Sequence, residues 1–392
     1  MDRFIYLDNS ATTEISEGAL NKYVEVSRNV WGNPSSLHSF GLMAEREIDG
    51  ARRIILDSLG AGFDSEVIFT SSGSEANNLA IVGRALSKDR YRRGAKIITT
   101  LGEHASVTEP IKRAESLGLK VAYIPTRDGK LDTGALISEL TPDVVLVSIM
   151  MVNNETGALY DVSSVAKMVK SRCPEAYLHV DATQSYMKVA FTKKSIGADM
   201  ITISSHKIEG PKGVGALVLD KRIFKDRGLS PIILGGGQEE GLRSGTENVP
   251  GIAAFGEAVK LSLASRDENI AKTEELRSYL IERFASDEAL SEISVTNPEH
   301  HAPHILNITL PKIKSETMLH YLSSEGIFVS SGSACSSNSQ HLSSALIAYG
   351  RSEAEADSSI RISLSPRNTK EELDVFCSAL TSGLARLSRI RR

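Results

Sequence analysis

Ile201-Thr-Ile-Ser-Ser-His-Lys-Ile-Glu-Gly-Pro-Lys-Gly-Val-Gly215 leads from an apolar run directly to a lysine and a glycine-rich turn. The run over 200–204 is short, rich in Ile and bounded by polar residues, which marks a buried strand. The same pattern recurs at 67–70, 96–100, 120–124, 144–149, 177–180 and 216–219. Helical periodicity separates most of these runs, for example over 74–86, 108–117 and 162–172. Strands alternating with helices predict an α/β fold, here a mostly parallel seven-stranded sheet covered by helices. Such sheets bind ligands outside the carboxyl ends of their strands, so the loop holding Lys207 is where chemistry is expected.

Beyond Pro250 the texture changes. Long amphipathic helices are expected over 268–285 and 370–387, with strand-like runs at 305–310, 327–330 and 360–364 between them. That is a smaller α+β domain. The division reads as a large domain over 16–251 and a small one made of 1–15 and 252–392. The stretch 331–344, dominated by Ser, Gly, Ala and Asn, reads as a mobile loop. The basic end 386–392 reads as a solvated tail.

The chain has 392 residues, 45 Lys+Arg and 49 Asp+Glu, for a formal charge of −4. A slightly acidic balance argues against a nucleic-acid surface. Three cysteines, at 173, 335 and 377, are too few and too scattered for a disulfide framework, which suits a reducing compartment. The amino terminus lacks the pattern of a signal peptide, and no apolar stretch approaches the roughly 20 residues that span a bilayer. The expectation is a cytoplasmic protein with no membrane partner. His300-His301-Ala-Pro-His304 lacks a ligand spacing that would mark a metal site, and no metal is expected.

Three loops at strand ends carry the chemistry. Thr70-Ser-Ser-Gly-Ser-Glu-Ala-Asn-Asn78 turns at Gly73 into a helix whose first N–H groups are open to an anion, with Ser74 at its start. Alone it is a weak signal, because hydroxyl-rich caps are common. In His179-Val-Asp-Ala-Thr-Gln184, Asp181 ends a strand and either pairs a ring nitrogen or caps the next turn. Lys207 is placed to form a Schiff base, or lies along the sheet edge as a surface lysine. Together, a phosphate seat, a carboxylate and a lysine at one sheet edge are what pyridoxal 5'-phosphate requires.

At this point the chain resembles the cysteine desulfurases related to NifS and IscS, in the class V branch of fold-type I pyridoxal-phosphate enzymes. The resemblance runs nearly end to end, through Tyr6-Leu-Asp-Asn-Ser-Ala-Thr-Thr13, Gly32-Asn-Pro-Ser-Ser-Leu-His38, Val152-Asn-Asn-Glu-Thr-Gly157, Arg243-Ser-Gly-Thr246, Ser330-Ser-Gly-Ser-Ala-Cys-Ser336 and Ser359-Ile-Arg-Ile-Ser363. It implies that Lys207 binds the cofactor aldehyde, Asp181 holds the pyridine nitrogen, and His104 stacks on the ring and helps move protons. Asn154 and Gln184 approach the ring's O3′ side, and Gly73, Ser74, Ser204 and His206 hold the phosphate. Thr246 reaches that phosphate from a second subunit, so a homodimer with shared active sites is implied. Arg361 takes the carboxylate of L-cysteine, where its planar fork is suited; without the resemblance it reads as an outward residue of its strand.

Cys335 is the distinguishing residue, because its small polar neighbours suit an exposed nucleophilic thiolate. Cys173 and Cys377, in or beside amphipathic helices, read instead as small core residues. The implied reaction converts L-cysteine to L-alanine, leaving sulfur on Cys335 as a persulfide. A sulfur-acceptor protein, such as an Fe-S scaffold or a thiolation enzyme, would then receive it. The competing readings are another class V reaction (transamination or selenocysteine cleavage) and a non-catalytic sulfur-pathway subunit. Cys335 disfavours transamination, and the intact set Lys207, Asp181, His104 and Cys335 disfavours the binder. The chain departs from the family pattern at Ser10, where Ala is frequent, at Glu209, where an aromatic is frequent, and at Ser365-Pro-Arg-Asn368.

Overall fold

A computed structural model describes residues 4–87, 95–331 and 342–387. In chain order its strands are β1 (Ile5–Tyr6), β2 (Ser65–Thr70), β3 (Lys96–Thr100), β4 (Lys120–Ile124), β5 (Val144–Met150), β6 (Tyr177–Asp181), β7 (Met200–Ser204) and β8 (Gly215–Asp220). After them come β9 (Ser294–Thr296), β10 (Ile305–Thr309), β11 (Ile327–Phe328), β12 (Ser330–Ser331) and β13 (Ser359–Ser363).

The large sheet has the order β2-β8-β7-β6-β5-β3-β4. From β4 to β7 all neighbours are parallel, whereas β8 runs antiparallel between β2 and β7. The five residues of each of β3, β6 and β7 are all buried, as expected for strands covered on both faces. One core beneath the sheet joins Val67, Ile98, Val147, Val180 and Ile201 to helices Ser39–Ser58 and Val249–Ala264. A second core, with Ile68, Ile97, Leu146 and Leu217, lies under helices Gly73–Leu86 and Ala105–Ser116.

A separate four-stranded sheet, β12-β13-β10-β9, is antiparallel throughout. Its core gathers Leu276, Leu280 and Phe284 from helix Arg266–Ser286 and Leu373, Phe376 and Leu380 from helix Lys370–Leu387. Ile5 and Leu7 join this core as β1 pairs in parallel with β11. Ile5 to Leu7 thus pack with elements more than 300 positions away, and the following segment, Asp8 to Thr13, is led across to the end of the large sheet. Among the described residues no helix is long and apolar enough to cross a membrane.

Candidate active site

The carboxyl ends of β2, β5, β6 and β7 open on one cavity of about 450 Å³, within the range of roughly 300–1,000 Å³ usual for small-molecule sites. It brings together Gly73, Ser74, His104, Asn154, Asp181, Gln184, Ser204, His206, Lys207 and Arg361. The sequence separates these residues by up to 288 positions; the sheet order makes them neighbours.

Asp181 ends β6, where the strand's buried run stops at the cavity. Its Oδ2 accepts from Asn77 Nδ2 at 2.8 Å and its Oδ1 from the Thr183 N–H at 2.9 Å. The carboxylate is therefore held by two neutral donors and offers its charge to the cavity. Asn77 carries no role in the sequence reading, although it lies one turn along the helix that begins at Gly73 and so faces the same strand ends. Ser106 joins the group, accepting from Asn77 Nδ2 at 2.9 Å.

Gly73 opens helix Gly73–Leu86, with Ser72 accepting from the Glu75 N–H as N-cap. A Cβ at residue 73 would come within 3.2 Å of Thr183 Oγ1 and 3.4 Å of Ser204 Cβ. The bare backbone thus leaves a cradle at a helix N-terminus, where a phosphate is stabilised by unpaired N–H groups. Ser204 Oγ, beside that cradle, is buried and has no hydrogen-bond partner. Gln184 Oε1 is likewise buried and unpartnered, while its Nε2 donates to the Ser10 carbonyl at 3.0 Å. Burial first, then the nearby Lys207, Lys212 and Lys188, push His206 down to about 4, so its ring is neutral near pH 7.

Lys207 follows β7 directly and donates to the carbonyls of Ser10 at 2.5 Å and Ala11 at 2.7 Å. Its amine is thus parked against the Asp8–Thr13 segment rather than lying along the sheet edge. His104 caps helix Ala105–Ser116: its Nδ1 accepts from the Ser106 N–H at 3.1 Å, which places the proton of the neutral ring on Nε2. Burial lowers its pKa below the ordinary histidine value, opposed by Asp181 and reinforced by Lys207 and Arg361. The neighbouring Glu103 is buried behind it, accepting from the Met150 N–H at 3.0 Å and from Thr100 Oγ1 at 2.6 Å. Burial raises its carboxyl to about 8.

Arg361 is not the outward residue its strand alone suggests. Every residue of β13 is buried, because one face of its sheet lies on helices and the other on the cavity. The guanidinium donates through Nη1 to the Asn154 carbonyl at 3.0 Å and through Nη2 to Asp8 Oδ1 at 2.8 Å, and Nε is unpartnered. Asp8 is 353 positions away and escaped the sequence reading.

Thr246 does not line this cavity; it lies in an exposed turn after Gly245, whose φ is +111°. Arg243, in the same turn, pairs with Glu75 Oε1 at 2.9 Å. Cys335 lies outside the described residues, as does most of the stretch read as a mobile loop. The strand that leads to it does not: Ser330 lines the cavity and pairs with Arg361. On the far side, Ser343 hydrogen-bonds Glu155, next to Asn154. Cys173 and Cys377 are buried free thiols, and burial raises both, Cys377 to about 11.

Two of the departures from the family pattern meet. Arg367, from Ser365-Pro-Arg-Asn368, pairs with Glu209 Oε2 at 2.5 Å and Glu14 Oε2 at 3.2 Å. Among the described residues, no three His, Cys, Asp or Glu side chains are grouped to hold a metal ion. His301 instead bonds Arg277 at 3.0 Å and Glu274 at 3.1 Å.

The family model described as Aminotransferase class-V matches residues 5–376. The chain is 38% identical over 393 residues to the NifS/IcsS protein homolog of Lactobacillus delbrueckii subsp. bulgaricus, covering 98% of each chain. It is 37% identical over 392 residues to cysteine desulfurase IscS of Dictyoglomus turgidum, covering 100% of this chain and 97% of that one. Among solved structures it is similar to a NifS-like protein, with a TM-score of 0.89 and 34% identity, covering 98% of this chain and all of the other.

Proposed function

Because the chain belongs to the aminotransferase class-V family, we propose that it is a pyridoxal-phosphate-dependent cysteine desulfurase, turning L-cysteine into L-alanine and an enzyme persulfide. The observation that carries this reading is the convergence of Lys207, Asp181, Arg361 and the Gly73–Ser204 cradle on one cavity.

The cavity fits the cofactor. The cradle that a Cβ would fill and the orphaned Ser204 Oγ match a phosphate, with Ser74 and neutral His206 at its edge. Asp181, free of any cationic partner among its hydrogen bonds, matches a protonated pyridine nitrogen. Asn154 and the unpartnered Gln184 carbonyl, also in the lining, would serve the cofactor's remaining polar edge. Bound there, the cofactor supplies an electron sink that makes the substrate Cα–H and Cβ–S bonds breakable.

The rest falls to the chain's own groups. Lys207 Nζ would hold the cofactor by its aldehyde and, as a free amine, is the base at hand for the Cα proton. The Ser10 and Ala11 carbonyls are where the released amine can rest. Arg361, braced by Asp8 and the Asn154 carbonyl, presents its remaining N–H groups to the substrate carboxylate. His104, which lines the cavity with a neutral ring whose proton is on Nε2, would cover the cofactor ring and can pass that proton. The Cys335 thiolate attacks the substrate sulfur. An S–S bond forms, the Cβ–S bond breaks, and its electron pair stays on Cβ, which takes a proton to become the methyl of alanine.

A homodimer with shared active sites fits exposed apolar side chains near the Gly32–His38 motif. Trp31, in edge contact with Phe40, is 72% exposed and Leu37 is 99% exposed. Thr246, in its exposed turn, would serve the partner's phosphate. A sulfur-acceptor protein in the cytoplasm completes the reading.

The test is purified, cofactor-loaded protein given L-cysteine and a thiol reductant, with alanine and sulfide measured together. Equal yields of the two are expected. Neither product, from protein that retains its cofactor, would contradict the proposal.

A further inference from the structure

Behind Lys207 lies a second cavity, of about 140 Å³, that the proposed reaction leaves unused. Lys207 forms part of the wall of both cavities. Lys188 and His304 also line it. Lys188 Nζ is fully enclosed with no hydrogen-bond partner, and neither ring nitrogen of His304 has one. His304 is only 2% exposed. Buried polar groups are normally hydrogen-bonded, and leaving one unpaired costs roughly 1–3 kcal/mol, so three such atoms around one space point to an occupant.

Among the described residues, basic groups outnumber acids around the space: Lys188, Lys207 and His304 line it against the single acid Glu209. Burial first, then Lys207 and Arg361, push Lys188 down to about 7, with Glu209 opposing. Burial and the same cations, Lys188 foremost, hold His304 well below the ordinary histidine value. Glu209 is the one acid among the described lining residues, and its carboxylate is turned to Arg367 at the rim. An anion is the missing partner. Met187, Ile208, Leu261 and Leu364 add apolar side chains to the lining, which suits an aliphatic tail better than a bare inorganic ion. At about 140 Å³ the space is well above what a single water needs and has room for several waters or one small organic molecule. An amino acid is disfavoured because its ammonium would sit beside Lys188 and Lys207.

We propose that this cavity binds a small aliphatic monocarboxylate without an amine, its carboxylate held between Lys188 Nζ and the His304 ring behind Lys207. The rim is formed where this chain departs from its family, at Glu209 and Ser365-Pro366.

Trifluoroacetate, followed by fluorine NMR on the cofactor-loaded protein, is the probe. An Arg361→Ala background removes the substrate's carboxylate site, so binding that persists there reports the second cavity. In that background Lys188→Met is expected to weaken trifluoroacetate at least tenfold, and His304→Gln to weaken it too. Propionate should displace the probe and alanine should not. Undiminished binding in both Lys188→Met and His304→Gln, binding lost with Arg361→Ala alone, or equal displacement by alanine would each overturn the proposal. Should Lys188→Met fail to fold, as its melting curve would show, His304→Gln decides. The readout needs no turnover, so it stands or falls apart from the desulfurase reading.

Discussion

Replacing Arg361 with alanine removes the group proposed to hold the substrate carboxylate, and the structure sets the size of the effect. The guanidinium has five N–H donors. One on Nη1 goes to the Asn154 carbonyl and one on Nη2 to Asp8, which leaves Nε–H and one hydrogen on each Nη for a ligand. A carboxylate can then accept two charge-assisted bonds, each worth roughly 1.5–3 kcal/mol. Because the cavity opens to solvent, the low end applies, about 3 kcal/mol, or about a hundredfold at 1.36 kcal/mol per decade. The Asp8 carboxylate, left without its cation, would repel the incoming substrate and add to the loss. Steady-state kinetics with L-cysteine should show kcat/KM reduced about a hundredfold, mostly through KM, while the visible spectrum of the bound cofactor is unchanged. Arg361→Lys keeps the charge but loses the fork and should fall between, near tenfold. A change in KM smaller than tenfold in Arg361→Ala would refute the assignment and send the carboxylate elsewhere.

Gly73→Ala should fold normally yet bind the cofactor about tenfold more weakly, because the new methyl fills the cradle against Thr183 and Ser204; cofactor titration by absorbance checks it, and unchanged affinity would move the phosphate elsewhere. Lys207→Ala should lose turnover and the visible absorption of lysine-bound cofactor together; turnover at the parental rate would sink the assignment. Glu103→Gln tests a buried acid by its pH dependence. With its carboxyl raised to about 8, Glu103 binds its proton more tightly folded than unfolded, so stability is fully present below the unfolded value near 4.5 and is lost as pH rises through about 8. The variant's Tm should therefore gain on the parent's between pH 5 and 8, and parallel curves would show that Glu103 ionises normally.

Much of this architecture was legible because strands buried on both faces read as continuous apolar runs. The expected spans 96–100, 120–124 and 200–204 coincide with β3, β4 and β7. Boundaries elsewhere shifted by a residue or two, where a flanking polar residue such as Asp181 completes a ladder. What escaped were features made by tertiary packing. β9 is three residues long and exists through pairing with β10, so no local pattern announces it. The antiparallel placement of β8 depends on sheet order, not on its own composition. In the site, Lys207 and Asp181 stood out as polar residues ending apolar strands. Asp8 and the paired Glu209 and Arg367 did not, since each acquires its role from a partner far along the chain. Arg361 was ambiguous for a related reason: alternation along one strand cannot tell a cavity from solvent.

The account turns on sulfur leaving cysteine and arriving on the chain itself, and mass analysis of the protein after brief reaction with L-cysteine measures that directly. The peptide carrying Cys335 should gain the mass of one sulfur atom, removed by reductant, in step with the alanine formed, while the peptides of Cys173 and Cys377 stay unchanged. Cys335→Ser should bind cysteine and form neither alanine nor persulfide. Alanine released at the parental rate by that variant, or sulfur found on another residue instead, would contradict the account.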